Sequence, residues 1–149
     1  TERMRIDSAG RVTMPYQPAF RATNGSSNIA GSTIIVFPTK EFDRSNSYNA
    51  TSGAFTAPVA GVYLFYLTAL YNYGGTTPTW KVSWYKNGGF DAVAGEYQSA
   101  FNSTGQYHTV FNSTVTMTMA AGDYAQIYNV SSNVHISGSQ TKFGGYLVS

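Results

Sequence analysis

The sequence predicts an all-β domain, a sandwich or barrel of eight to ten short strands. Three observations carry this. The 149 residues include 12 Tyr and 9 Phe, with many Thr and Val, and aromatic and β-branched side chains fit the pleated surface of a sheet. The 15 Gly and 5 Pro cut the chain into short segments, as frequent turns require. No stretch holds a 3.6-residue apolar period over ten residues or more, so no helix of ordinary length is expected. The length suits one domain with its own core.

Residues 1–18 read as a separate N-terminal element. In "RMRID" Met4 and Ile6 alternate with charge, "SAG" turns the chain and "RVTM" returns as a second short strand. Such a hairpin is marginal alone, so copies of itself or a preceding shaft are expected to hold it. The chain begins at Thr1 rather than Met, which suggests a piece of something longer. Pro15 and Pro18 mark the boundary, and residues 19–149 form the main domain. There "AFRAT" (19–23), "TIIVFP" (33–38) and "AFTAP" (54–58) read as strands, separated by a loop at 24–32 and a polar segment at 39–53.

The run "GVYLFYLTALYNYGG" (61–75) is the strongest strand. Tyr63, Phe65, Leu67 and Ala69 share one face. Leu64, Tyr66, Thr68 and Leu70 share the other, which is nearly as apolar. "WKVSWYKNGG" (80–89) shows one-sided alternation, with Trp80, Val82 and Trp84 inward. Residues 90–108 read as loop with one short strand. "TVFNSTVTMTM" (109–119) reads as a long strand broken or bulged near Asn112, its threonines alternating with Val115, Met117 and Met119. A tight turn at 120–123 leads to "YAQIYNV" (124–130), and the chain closes with "TKFGGYLVS".

The strands at 61–71, 124–130 and 141–148 carry large groups on both faces, whereas those at 80–86 and 113–119 do not. One sheet is therefore expected to be wet outside and the other covered. With no helix available, the cover must be another chain, since exposed apolar patches beyond a few hundred Å² are unusual in monomers. This assigns Leu64, Tyr66, Thr68, Leu70, Tyr124, Gln126, Tyr128, Tyr146 and Val148 to an interface between copies. Tyr63, Phe65, Leu67 and Phe143 are assigned to the core.

Charge and chemistry exclude several classes. Charged residues make up 11% of the chain, against roughly a quarter in ordinary soluble domains. Nine basic against seven acidic residues leave a net charge of +2, with no basic and aromatic face of the kind nucleic acid needs. No apolar run reaches the ~20 residues of a membrane helix. There is no cysteine, hence no disulfide and no thiolate metal site. No nucleophile elbow or phosphate loop is present. Glu41 with Asp43, or Asp91 with Glu96, are candidate carboxylate pairs for a glycosidase, but Lys40 and Arg44 mark the first pair as a solvated loop. His108 and His135 have no acidic or cysteine neighbour at ligand spacing. No catalytic residue, metal or cofactor is expected. Asn24, Asn49, Asn102 and Asn112 begin Asn-x-Ser/Thr triplets and are read as polar loop and strand residues.

The central stretch "FDRSNSYNATSGAFTAPVAGVYLFYLTAL" resembles the signature of the C1q branch of the C1q and tumour-necrosis-factor-like superfamily. Phe42 opens the motif, and Tyr48 with Asn49 hold its Tyr-Asn position. Gly53, Phe55, Thr56 and Pro58 match the Thr-Gly-x-Phe-Thr-x-Pro element, and Gly61, Tyr63 and Phe65 match Gly-x-Tyr-x-Phe. Gly122 and Asp123 fit the family's Gly-Asp turn, and Phe143, Gly145 and Tyr146 match its last strand. The resemblance covers about residues 19–148. It implies a ten-stranded jelly roll and a tight homotrimer with one sheet packed around the threefold axis, to which it assigns the central run, the 124–130 strand and the last strand. It also implies a non-enzymatic role in binding other molecules, through outer loops or grooves between subunits. A collagen stalk, usual before animal members, is absent. "ERMRIDSAGRVTM" instead resembles segments that precede terminal domains of bacteriophage tail fibres. That second resemblance implies an extracellular virion setting: a trimeric fibre tip joined to an upstream shaft and binding a host receptor or glycan. A purely structural trimerisation domain and a secreted recognition domain are the alternatives. Candidates for ligand contact are aromatic and amide groups read as lying in or beside loops: Tyr71, Asn72, Tyr73 and Trp80, and Tyr97, Gln98 and Phe101.

Overall fold

A computed structural model describes residues 4–25, 27–73, 79–90, 96–100, 107–130, 133–136, 138 and 140–149. Among these there is no helix, and sixteen strands follow one another. They are β1 (Arg5–Ile6), β2 (Val12–Thr13), β3 (Ala19–Asn24), β4 (Ser27–Ile29), β5 (Thr33–Ile34), β6 (Thr39–Asp43), β7 (Tyr48–Asn49) and β8 (Ala54–Thr56), then β9 (Gly61–Tyr73), β10 (Thr79–Lys86), β11 (Gly89–Phe90), β12 (Glu96–Ala100), β13 (Tyr107–Met119), β14 (Tyr124–Asn129), β15 (Val134–Ile136) and β16 (Thr141–Leu147). The number exceeds ten because several are two- or three-residue bridges at strand ends. β1 and β2 form a separate hairpin, with Ile6 opposite Val12. Asp7 shapes its turn: its carboxylate accepts from the amides of Ala9 and Arg11 and from Arg11 Nε at 2.7 Å.

The other strands make two seven-stranded sheets. In the first, β9 is the spine. β13 pairs along its whole length on one side, and β16, then β3 and β6, continue on the other. β15 joins β9 beyond the end of β16, with β4 outside it. In the second sheet β10 and β14 are central; β11 and β12 flank β10, and β5 and β8 flank β14.

Aromatic rings from both sheets fill the space between. Phe20, Phe65 and Phe143 of the first sheet meet Phe55 and Trp84 of the second. Phe20 stacks on Phe55 at 4.7 Å and on Tyr48 at 4.9 Å, and meets Phe143 edge-on at 4.9 Å. Offset and edge-to-face pairs of this kind add to the energy of burial. Tyr63, Phe65, Leu67 and Phe143 are at most 1% exposed. The polar atoms that enter with the rings are paired: Trp84 Nε1 donates to Ser113 Oγ at 2.9 Å, Trp80 Nε1 to Asn129 Oδ1 at 3.1 Å, and Tyr48 Oη to the Phe37 carbonyl at 3.1 Å.

Two sequence expectations are corrected here. The 124–130 strand does not share a sheet with the central run: β14 pairs with β10, while β13 lies beside β9. Strand partners are nonlocal, and a period of two reads the same on either sheet. Nor is β13 bulged at Asn112. Its pairing with β9 is unbroken, and Phe111 to Ala120 alternate between buried and exposed without a slip. The irregularity in this sheet falls instead between Arg21 and Ala22 in β3, where its register with β6 shifts.

Two turns at one end of the sandwich are clamped together. Asn87 and Gly88 carry φ of 54° and 80°, the left-handed pair that a tight Asn-Gly hairpin turn demands. Asp123, in the turn before β14, accepts from Asn87 Nδ2 and the Ala120 amide, both at 2.8 Å, and pairs with Lys86 at 3.1 Å. These contacts, that of Asn87 foremost, hold its carboxyl down at about 2. A depressed carboxylate stabilises the fold above its ordinary value and loses that contribution as it protonates. The substitution Asp123→Asn should therefore lower the urea midpoint at neutral pH. The gap from the parent should narrow as pH falls from 3.8 to about 2; a pH-independent gap would contradict the clamp.

Candidate functional site

The face of the first sheet turned away from the core combines apolar, hydroxyl and charged groups in ordered rows. Register sets them. Leu64 lies between Tyr146 and Thr116, Tyr66 between Gly144 and Thr114, and Thr68 between Lys142 and Asn112. Arg21 extends the Tyr66 row beyond Gly144, and Phe42 ends it. Leu64, Tyr66, Thr68 and Leu70 are half-buried, whereas Thr114, Thr116 and Thr118 are exposed. Three large apolar or aromatic side chains stand open: Val110 at 58%, Tyr146 at 44% and Phe42 at 40%. The face is thus an apolar band edged by a threonine stripe.

Part of the cover assigned by sequence to another chain comes from within. A Cβ on Gly144 would run into the ring and hydroxyl of Tyr66. The phenol therefore lies across the glycine, an arrangement in which an aromatic side chain replaces the missing packing of a sheet glycine. Burial is the main cause that pushes the phenol up, and the charge of Arg21 acts against it. Arg21 Nε donates to Glu41 Oε2, and Lys142 Nζ donates to Glu41 Oε1 at 2.7 Å. Lys142 first, then Arg21, hold the Glu41 carboxyl below its ordinary range. Arg21 Cζ also sits 5.5 Å from the centre of the Phe42 ring, within cation–π range. Sequence reading missed this cluster. Its signal is charge at outward parity, Arg21 and Lys142, in strands otherwise apolar.

Of the residues assigned to an interface, Leu64, Tyr66, Thr68, Leu70 and Tyr146 share this face. Val148 lies just past β16, 51% exposed, its amide on the Val62 carbonyl at 2.7 Å. Tyr124, Gln126 and Tyr128 lie on the other sheet and cannot join them, because β14 pairs with β10. Gln126 is moreover 9% exposed and donates from Nε2 to the Ser52 carbonyl at 3.0 Å.

The ligand candidates separate too. Trp80 is a core residue, 1% exposed and packed against Phe111 at 5.2 Å, so its ring is not available for stacking on a ligand. Its inward parity in β10 decides this. Tyr71, Asn72 and Tyr73 end β9, whereas Tyr97 and Gln98 lie in β12, opposite Val82 and Lys81 on the second sheet. Phe101 lies outside the described residues. His108 and His135, distant in sequence, occupy strands on either side of Asn72, and His135 Nδ1 meets Asn28 Oδ1 at 2.8 Å. Among the described residues no group of three or more His, Asp or Glu could hold a metal ion.

Clefts add three concave surfaces. One of about 690 Å³ lies where the linker meets the last strand, lined by Met14, Tyr16, Pro18, Val59, Leu147 and Val148. A polar one of about 580 Å³ opens beside Lys40, Asn46 and Asn49. The third, about 590 Å³, lies beside β4 and the segment from Thr33 to Thr39.

Comparison with known proteins gives a consistent answer. The C1q domain family matches residues 19–148. No curated protein matches in sequence. The globular domain of zebrafish complement 1qA has a TM-score of 0.69 at 20% identity, over 89% of this chain and 98% of that one. Eiger TNF from S. frugiperda gives 0.67 at 14% identity over 89% and 94%. Murine APRIL gives 0.63 at 14% identity over 89% and 99%.

The glycine pair in β16 supplies a test. A Cβ on Gly145 would meet the Phe65 ring and, at 2.8 Å, the Leu64 carbonyl oxygen, which cannot move aside. The atoms nearest to a Cβ on Gly144 all belong to the Tyr66 side chain, which can swing out. Overpacking a core typically costs about 1–3 kcal/mol, so Gly145→Ala should lose that much in urea unfolding and Gly144→Ala clearly less. Equal losses would show that Tyr66 is as fixed as the backbone.

Proposed function

The chain belongs to the C1q domain family, and from that we propose that it is a non-enzymatic extracellular recognition domain acting as a homotrimer. The observation that carries the assembly is the outward face of the first sheet. An apolar band built from Leu64, Tyr66, Leu70, Val110 and Tyr146 is uncommon on a monomer surface. Burial of each Leu-sized group there is worth roughly 1.5–3 kcal/mol. Tyrosine and threonine suit such a contact because they pack and still find hydrogen-bond partners. Recognition would fall to surfaces left free on the assembled particle, among them the β9 end at Tyr71–Tyr73, the β12 edge with Tyr97 and Gln98, and the polar cleft beside Asn46 and Asn49.

A secreted recognition domain is the setting that the family supports best. A fibre tip on a virion is a second reading, favoured only by the N-terminal hairpin. There Met4, Ile6, Val12 and Met14 are 47–63% exposed, as they would be if a shaft or neighbouring hairpins covered them.

Two measurements test these readings. Sedimentation of the intact chain should give three subunits, and Leu64→Arg should give one with the near-ultraviolet signature of folding kept. A parent mass of one subunit at micromolar concentration overturns the assembly. A screen of the chain against secreted animal proteins, cell-surface glycans and bacterial envelope polysaccharides should return a specific partner. Binding confined to bacterial polymers would favour the fibre tip over the secreted domain, and no binding to any of them would leave a structural trimerisation role.

A further inference from the structure

We propose that Tyr85 and Tyr128 form a site of oxidative cross-linking, where a haem peroxidase with hydrogen peroxide joins β10 to β14 through a dityrosine bond. The site lies on the outward face of the second sheet, away from the face proposed to assemble. Ser83 pairs with Tyr128 and Tyr85 with Gln126, so the two tyrosines are diagonal neighbours on one face, within reach of each other across adjacent strands. Their rings are parallel to within 5° with centroids 4.4 Å apart. Both side chains are half-buried, which leaves part of each phenol open to solvent.

The rest of the chain favours this pair. Cysteine, whose thiol would quench a phenoxyl radical, is absent from the whole sequence. Trp80 and Trp84, the other readily oxidised rings, are 1% and 0% exposed. Tyr48 and Tyr63 are sealed in the core at 3% and 0%. Among the described residues Tyr85 and Tyr128 are the only two tyrosines in ring contact. Tyr16 and Tyr146 are more open, at 65% and 44%, but neither ring is stacked on another tyrosine among the described residues.

The step balances. Each phenol gives up one electron and its hydroxyl proton to become a phenoxyl radical with spin density at the ring carbons beside the oxygen. Two such carbons, one from each ring, form a carbon–carbon bond. The hydrogen displaced from each moves to restore both aromatic phenols. The pair loses two hydrogen atoms in all, and one hydrogen peroxide is reduced to two waters. Stacking holds the reacting carbons about one ring spacing apart, so coupling needs a tilt of the rings and no separation of the strands. The product ties residue 85 to residue 128 covalently in a chain without disulfides.

The test uses the intact chain at low micromolar concentration with a haem peroxidase and hydrogen peroxide. The subunit-mass species should lose two hydrogens and gain dityrosine fluorescence, in a yield independent of protein concentration. Trypsin should release the peptide Val82–Lys86, whose one tyrosine is Tyr85, linked to a fragment carrying Tyr128. Tyr85→Phe and Tyr128→Phe keep the rings and should each abolish the linked peptide, while Tyr16→Phe should leave it. The oxidised parent should show a higher urea midpoint than the unoxidised chain, and oxidised Tyr85→Phe should show no gain. Dityrosine found only between chains, a linked peptide that survives Tyr85→Phe, or equal yield from the urea-unfolded chain would each overturn the proposal.

Discussion

Two adjacent glycines in the last strand make room for two adjacent aromatic residues in the strand beside it. Gly145 lies opposite Phe65 and Gly144 opposite Tyr66. Successive residues of a strand point to opposite faces, so one glycine opens space toward the core and the other toward the outside. Phe65 then reaches Phe20, Phe55, Trp84 and Phe143 in the centre of the sandwich. Tyr66 folds down over Gly144 on the outer face. Core packing and outer surface are therefore coupled through one pair of positions in β16, and a register slip between β9 and β16 would misplace both rings at once.

This coupling shapes the proposed assembly face. Because Tyr66 lies flat, the surface near Gly144 is low, while Leu64 and Tyr146 stand in the row on one side and Lys142 on the other. The Arg21, Glu41 and Lys142 cluster closes one flank of the apolar band, and the threonines of β13 close the opposite one. A partner must match a strip of limited width between charge and hydroxyl. Such edges contribute more to orientation and register than to affinity.

Much of the fold was legible because it rests on local periodicity. The inward parity of Tyr63, Phe65 and Leu67 and of Trp80, Val82 and Trp84 follows from alternation. Which strand lies beside which was not legible. β13 and β14 both alternate cleanly, and nothing in either segment alone records that one pairs with β9 and the other with β10. That gap put Tyr124, Gln126 and Tyr128 on the wrong face. Trp80 was offered as a ligand residue because it sits next to a loop, although its own parity pointed inward. The Glu41 cluster was hidden for a related reason: its members lie on β3, β6 and β16, far apart in the chain, and only the sheet brings them together.

The buried indoles have a practical corollary. Trp80 and Trp84 are the chain's two tryptophans, both on β10, both dry, and each with its ring nitrogen engaged by a partner across the core or in the next strand. Light absorbed by this protein near the red edge of its spectrum is therefore emitted from the middle of the sandwich, while signals from the hairpin and the surface phenols stay silent at that wavelength. The molecule carries its own optical gauge of sheet separation, and a shift of its emission toward longer wavelengths marks the moment water enters between the layers.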